Sequence, residues 1–313
     1  MAFRLKKGAP VAVEVRRIVL RQLEVAISEL HTVGDPQSDE AVHDARRRIK
    51  KIRAIIRLVR PVLDKAYRAV DDDLRTVSRL LAPVADGRGI IETLDELAHR
   101  YGKALPARTI AAARAGVLRN GARADREATE RGVLEAAAGT LRSERSRIKH
   151  WHIGAQGFRA IAPGLEESYR RARRMMMVAW SRPKPSHFHA WRRYVKDHWF
   201  HVRLLEGRCG YHLMAYQRRI EALDGVLGEY HNVSLLRDVL VNDAGLSREE
   251  TAGCLRVIAR YQRLLRRHAE TLGVRIYTER PRRFVRRVRR LWRMQTPTAA
   301  HLHAPPQGVR GPQ

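Results

Sequence analysis

The sequence predicts an all-α protein that contains two copies of one helical unit. Apolar residues recur at spacings of three and four along most of the chain, which is the period of an amphipathic helix. Runs of β-branched residues and strict alternation, which predict strands, are nearly absent. In addition, VHDARRRIKKIRAIIRLVRPVL (42–63) is repeated in looser form as FHAWRRYVKDHWFHVRLL (188–205), at an offset of 146 residues. Together these observations predict two stacked, antiparallel helical bundles.

The first half, over residues 8–149, is predicted to form one bundle. Pro10 begins a helix, and a loop that contains Gly, Pro and Asp follows over 32–39. A second turn, APVADGRG, is predicted at 82–89. The helices predicted for this half cover residues 10–31, 42–63, 66–81, 90–101 and 106–118, with 122–149 helical by its Ala-rich composition.

The second half, over residues 150–295, is predicted to form the other bundle. Three glycines and a proline interrupt the helical pattern over 150–164, which indicates a junction between the halves. The tail over 296–313 is rich in Pro, His and Gly and is predicted to be disordered. The helices predicted for this half cover residues 164–180, 188–205, 209–226, 230–242, 247–272 and 280–295.

The helix over 42–63 has two opposed faces at about 100° per residue. The apolar face holds Ile49, Ile52, Ile55, Ile56, Val59 and Leu63. The opposite face, called here the first basic face, holds His43, Arg46, Arg47, Lys50 and Arg57, with Arg53 at its edge. No acidic residue lies on the same line, because Asp44 falls to the flank. Ordinary exposed helix faces mix charges to gain i,i+4 pairs, so an all-cationic line favours binding of an anion.

The offset of 146 residues reproduces these cations in the second copy. The second basic face consists of His189, Arg192, Arg193, Lys196 and Arg203. The same offset pairs Leu81 with Leu227 and Asp86 with Asn232. Five matched positions favour a shared function over a solvated face. For His43 and His189, the alternative is a hydrogen-bonded residue that orients the start of the helix.

The opening helices of the two halves supply a second group of candidate cations. These candidates are Arg17, Arg21, Arg170, Arg171 and Arg174. A solvent-exposed face of mixed charge is the alternative for this group. The Arg-rich segment 280–295 has Phe284, Val285, Val288, Leu291 and Trp292 on one side, so it is predicted to be an amphipathic helix. Its arginines are expected to extend the basic surface, and a merely solvated face is the alternative.

The charge of the whole chain indicates a polyanionic partner. The 313 residues carry a formal net charge of +29, and only nine of the 62 basic residues are lysines. Guanidinium binds phosphate in bidentate fashion and stays charged, although a GC-rich genome would also favour Arg over Lys. Cys209 and Cys254 make no disulfide framework, which fits a reducing compartment. We expect a cytoplasmic protein without a signal peptide or a membrane span.

The two basic faces, the GLEESYRRARR helix and the LGEYHNVSLLRDVL segment resemble the CHAD domain over about residues 8–295. The second basic face is looser, since Trp199 stands where the first copy has Arg53, and LAPVADGRG departs from the family pattern. The resemblance implies two four-helix bundles about a pseudo-twofold axis, with a basic groove between them that binds inorganic polyphosphate. It also implies association with polyphosphate granules. The Glu-x-Glu-x-Lys motif of the CYTH triphosphatase domain, to which some members are fused, is missing.

No catalytic motif is evident, so the sequence predicts a non-enzymatic binding protein without a cofactor. Ser/His/Asp arrangements and Gly-rich phosphate loops are missing, and the run Asp71–Asp73 is a weak basis for a phosphoanhydride enzyme. The run is expected to be solvated, and pairing with arginines of a neighbouring helix is the alternative. His198 and His201 have a chelating spacing, but no further ligand completes a metal site.

The alternative function is non-specific nucleic-acid binding by a basic, nucleoid-associated protein. Nucleic-acid binding would call for aromatic residues beside the cations, on which bases could stack. The candidates are Trp191, Tyr194 and Trp199, although their spacing along the helix predicts that they are buried.

Overall fold

The computed structural model describes residues 3–31, 38–63, 66–82, 87–242 and 245–294. These residues are almost entirely helical, which confirms the predicted all-α class. An isolated antiparallel bridge joins Leu63 to Ile153, and the described ranges contain no strand. The predicted disordered tail and residues 32–37 of the first predicted loop lie outside the described residues.

The helices of the first half follow the predicted order. They are α1 (Val11–His31), α2 (Ser38–Val59), α3 (Ala66–Leu80), α4 (Gly87–Tyr101), α5 (Ala107–Glu130) and α6 (Val133–Lys149). Helix α2 gives way to a short 3-10 helix at Arg60–Val62, because Pro61 cannot continue the α-helical hydrogen bonding. Helix α5 continues well beyond its predicted end and stops before Gly132, whose φ of +57° suits glycine.

The second half contains α7 (Ala162–Ser181), α8 (Pro185–Cys209), α9 (Met214–Asn242), α10 (Arg248–Ile276) and α11 (Pro281–Met294). Two separate helices predicted over 209–226 and 230–242 are in fact the single helix α9, so that prediction is wrong. Gly228 is a poor helix former, but the residues around it are buried in the core. Leu227 and Tyr230 are each 1% exposed, and their packing holds the helix together through the glycine.

The apolar face of α2 lies in the core, as its periodicity predicts. Ile49, Ile52, Ile55, Ile56 and Val59 are all 1% exposed or less. The buried residues form a cluster that extends through both halves of the chain.

The two halves also pack against each other. Leu94 and Leu97 of α4 line the same apolar cavity as Leu236 and Leu240 of α9. The boundary at 149/150 and the pseudo-symmetry of the two bundles stay predictions, since the core does not divide at that point.

Helix α2 lies in close contact with α7 and α8. A Cβ at Gly164 in α7 would lie 1.9 Å from the carbonyl oxygen of Leu58, so only glycine permits this approach. On the α8 side, the buried His201 donates from Nε2 to the carbonyl oxygen of Ala54 at 2.7 Å. Its Nδ1 lies 3.0 Å from Ser168 Oγ. The two helices that carry the basic faces are therefore held rigidly against each other.

His198 and His201 lie in different surroundings despite their spacing. His198 is fully buried among the rings of Tyr169, Tyr216, Tyr277 and Phe284. Burial lowers the pKa of both histidines, so each is neutral near pH 7. In the described part of the chain, no three His, Cys, Asp or Glu side chains gather as a metal-binding group. No helix there is long and apolar enough to cross a bilayer.

Candidate polyanion-binding surface

The exposed part of the first basic face lies in the N-terminal half of α2. His43, Arg47 and Lys50 are exposed, and Arg46 is half-buried beside them. These residues occupy two successive turns, so they span about 10 Å along the helix. Arg47 reaches Asp44 at 3.2 Å, but this is an exposed pair that competes weakly with other anions. This half of α2 therefore presents several cations to solvent on one side.

The second basic face begins with exposed residues on α8. His189 and Arg193 are exposed, whereas Arg192 and Lys196 are half-buried. Arg193 donates to the hydroxyl of Tyr194 at 3.3 Å. Lys196 Nζ lies 2.6 Å from the carboxylate of Asp224, so its charge is already balanced. The cations available to a ligand on α8 are therefore those nearer its N-terminus.

Arg46 and Arg192, which the sequence offset pairs, lie at matching places in the fold. Arg46 donates from Nη1 to the carbonyl oxygen of Ala82 at 3.3 Å, just beyond the end of α3. Arg192 lies over Gly228 in α9, with Nη2 3.3 Å from where a Cβ at that glycine would be. Residues 82 and 228 are themselves 146 positions apart, and the Nε atoms of both arginines are buried. The repeat in the sequence is therefore a repeat of side-chain position.

A contact between α4 and α9 links the surroundings of these two arginines. Asn232, one turn after Gly228, donates from Nδ2 to the carbonyl oxygen of Gly89 at 3.1 Å. Next to it, the ring of His231 lies 4.5 Å from the ring of His189. Sequence reasoning did not single out His231, and its position in the LGEYHNVSLLRDVL segment is the signal that could have found it. Asp86, the predicted match of Asn232, lies outside the described residues.

The C-terminal part of the first basic face is occupied by carboxylates. Arg53 Nε donates to Asp71 at 2.9 Å, and Arg57 Nη1 donates to both carboxylate oxygens of Asp197 at 2.8 and 2.9 Å. Asp71 is only 5% exposed, so the expectation of a solvated face is wrong for this residue, and the alternative of pairing with arginines of a neighbouring helix holds instead. The exposed Asp72 fits that expectation. Arg53 and Arg57 thus tie α2 to α3 and α8 and have little capacity left for a ligand.

The charges around these pairs shift several pKa values. Burial alone would raise the pKa of Asp71, but the hydrogen bond from Arg53 and the nearby guanidinium charges lower it below its usual range. Partial burial and then the charge of Lys50 lower the pKa of His43 below 6.5. Burial and neighbouring arginines lower the pKa of Lys51 to about 8. Before any ligand binds, the surface of α2 therefore carries an excess of positive charge.

Aromatic residues near the second basic face differ in burial. Trp191 is fully buried, as its period predicts. Tyr194 and Trp199 are half-buried, and cations lie over their rings. Arg193 lies 5.1 Å from the ring centre of Tyr194, and Arg203 lies 5.2 Å from that of Trp199. Trp199 thus stacks with neighbouring cations at the position where the first copy has Arg53.

The candidates on the opening helices lie on faces of mixed charge. Arg17 pairs with the buried Glu14 at 2.8 Å, and Arg21 lies 3.4 Å from Glu24. Arg170 and Arg171 both contact Glu167. Arg174 is exposed and has no carboxylate partner in the part of the chain that the structure describes. The alternative of a mixed face therefore fits this group better than the two basic faces.

The Arg-rich helix α11 is amphipathic as predicted. Phe284, Val285, Val288 and Trp292 are buried, and Leu291 is half-buried. Its arginines are mostly exposed. Arg287 pairs with Glu279 at 2.9 Å, and Arg289 lies over the ring of Phe158.

Comparison with known families and structures supports the predicted resemblance. The family model of the CHAD domain matches residues 17–241. The fold is similar to PptA from Streptomyces chartreusis, with a TM-score of 0.61 and 15% identity over 87% of this chain and all of that one. It is also similar to the CHAD domain from the plant Ricinus communis, with a TM-score of 0.52 and 15% identity over 94% of this chain and 95% of that one. No curated protein matches the chain in sequence.

Proposed function

The chain belongs to the CHAD domain family, and we propose that it binds inorganic polyphosphate through the two basic faces. The observation that carries this proposal is the matching placement of Arg46 against Ala82 and Arg192 against Gly228. Most of the stability of a duplicated fold comes from its buried apolar residues. That it also repeats the position of a cation indicates that both copies contact the same kind of ligand.

The chemistry of these side chains suits a chain of phosphates. Polyphosphate carries about one negative charge per phosphate and has no bases. Cations spaced along a helix are therefore sufficient to bind it, and aromatic side chains for base stacking are not required. The groups best placed to contact it are His43, Arg46, Arg47, Lys50, His189, Arg192 and Arg193. Arg and Lys donate charge-assisted hydrogen bonds, and the release of counterions from the polymer drives association. Affinity should therefore fall steeply as salt rises.

The proposed role is binding without catalysis, in the cytoplasm and at polyphosphate granules. The cations of the basic faces would hold the polymer, and no carboxylate cluster in the described ranges stands free to bind a catalytic metal. Asp71, which lies beside the first basic face, is committed to Arg53 and Arg57.

A competition titration tests polyphosphate against nucleic acid. Labelled long-chain polyphosphate would be displaced by unlabelled polyphosphate or by duplex DNA at equal phosphate concentration, near physiological salt. We expect DNA to compete at least about ten times more weakly, because a stiff duplex cannot follow cations on two separate helices as a flexible chain can. Equal competition would instead favour the nucleic-acid alternative, for which the half-buried Tyr194 and Trp199 are the supporting observation.

Polyphosphate binding is expected to strengthen as the pH falls. The pKa of His43 lies below 6.5 in the free protein, so its imidazole is neutral at pH 7. A bound phosphate favours the imidazolium form and raises this pKa, so binding takes up a proton. Affinity measured by titration calorimetry should rise on the order of fivefold from pH 8 to pH 6. His43→Gln should flatten this dependence; an unchanged slope in that variant would place the titrating group elsewhere.

A further inference from the structure

The two copies of the repeated unit differ at one pair of charged positions. In the first copy, Arg57 is balanced by Asp197 at 2.8 Å and by Asp71 at 3.6 Å. At the offset of 146 residues, Arg57 corresponds to Arg203, Asp197 corresponds to Lys51, and Asp71 corresponds to Gln217. The second copy therefore keeps the arginine but replaces both of its acidic partners with a cation and an amide.

The consequence is visible in the electrostatics around Arg203. No carboxylate of the described residues forms an ion pair with Arg203, whose guanidinium instead stacks on Trp199. Lys51 is close enough to Arg203 for their like charges to interact, and this repulsion adds to burial in lowering the pKa of Lys51. The position that holds an ion pair in one copy thus holds two mutually repelling cations in the other.

An open cavity lies beside these residues. Its volume is about 260 Å³. Its lining consists of Arg4, Arg203, Glu206, Met214, Gln217, Arg218 and Glu221. Arg4 is held here because Leu5 donates its backbone N–H to the carbonyl oxygen of Leu204 at 2.9 Å, and Arg4 pairs with Glu206 at 2.8 Å. Arg203, Arg218 and Glu221 form no ion pair among the described residues, which leaves one net positive charge in the lining to meet a ligand, and Gln217 stands where the other copy has a carboxylate.

We propose that this cavity binds a compact phosphate, either orthophosphate or diphosphate, whose negative charge takes the place of the two missing carboxylates. A phosphate group accepts bidentate hydrogen bonds from guanidinium and can also accept one from the amide of Gln217. The cavity shares Arg203 with the second basic face, but the inference goes beyond the binding of a long polymer there, because it assigns a discrete site to a small anion. The source of the anion is a free diphosphate or the terminal group of a linear polyphosphate chain.

The test is to restore the missing carboxylate. Gln217→Glu keeps the side chain nearly isosteric and places one negative charge beside Arg203. Diphosphate titrated into the wild-type protein by calorimetry should bind, and Gln217→Glu should weaken that binding at least tenfold. The same variant should also raise Tm in the absence of ligand, because it relieves the repulsion between cations. Ala222→Glu adds the same charge at an exposed position of α9 outside the lining and should leave binding within about twofold.

Two results would overturn the proposal. One is the absence of diphosphate binding to the wild-type protein, and the other is an equal loss in Gln217→Glu and Ala222→Glu. The titration uses no long polymer, so it can fail while polyphosphate still binds the basic faces, and the reverse also holds.

The source of the anion is decided by competition against bound diphosphate. Displacement by short linear polyphosphate but not by cyclic trimetaphosphate, which has no chain end, identifies a terminal-phosphate site. If neither displaces diphosphate at matched concentration, the site takes the free small anion. Both outcomes keep the cavity as a phosphate site and differ only in where the phosphate comes from.

Discussion

Replacement of Arg47, Lys50, Arg192 and Arg193 by Gln is expected to weaken the binding of long-chain polyphosphate by about 100- to 1000-fold near physiological salt. Each charge-assisted contact is worth on the order of 1 kcal/mol after desolvation, and each lost contact also reduces the counterions released. Arg46 and Lys196 are left unchanged because Arg46 donates to the Ala82 carbonyl and Lys196 pairs with Asp224. The variant should therefore keep its wild-type Tm within a few degrees.

A matched variant controls for the loss of net charge. Four arginines elsewhere are exposed and can be changed to Gln with the same loss of charge: Arg119, Arg123, Arg126 and Arg131. This control should bind polyphosphate within about threefold of wild type. Equal losses in both variants would mean that overall charge alone attracts the polymer. Normal binding by the first variant, at matched salt, would place the site away from the two basic faces.

Asp197→Ala is expected to destabilise the protein by about 3–5 kcal/mol, measured by urea unfolding. Asp197 is 7% exposed and accepts two hydrogen bonds from Arg57. Its removal leaves a half-buried guanidinium without this partner at the contact between α2 and α8, which costs far more than the loss of a surface pair. The exposed pair of Asp72 with Arg75 gives the control, since Asp72→Ala should cost less than about 1 kcal/mol.

A double substitution of the ion pair between Asp197 and Arg57 gives a further check. If the cost comes from the uncompensated charge of Arg57, Asp197→Ala combined with Arg57→Met should recover much of the lost stability. A cost below about 1 kcal/mol for Asp197→Ala alone would show that Asp71 is sufficient to balance Arg57.

The sequence predicted the helices and their apolar faces because helical periodicity is a local property. Ile49, Ile52 and Ile55 share a face through spacing alone, and all are buried. The continuity of α9 could not be predicted in this way. Gly228 is a poor helix former, and only the packing of Leu227 and Tyr230 in the assembled core outweighs its propensity.

The candidate site was predictable as a line of cations but not as a surface. The ion pair between Arg57 and Asp197 joins residues 140 positions apart, so no local sequence pattern predicts it. It divides the first basic face into an exposed part around Lys50 and a part engaged in the interior. The match of Arg46 with Arg192 was readable from the offset, whereas their contacts at residues 82 and 228 needed the folded chain.

The unbroken course of α9 bears on the cost of binding. This helix has 29 residues and is about 44 Å long, and it contacts α8 at Gly228 and α4 at Asn232 without a joint between them. In the first copy, the equivalent stretch is divided into α3 and α4. Because α9 is one continuous helix, it fixes the distance between α8 and α4, which it contacts on the side of the second basic face. The loss of conformational entropy on binding then comes mainly from the flexible polymer, since the protein surface is already ordered before binding.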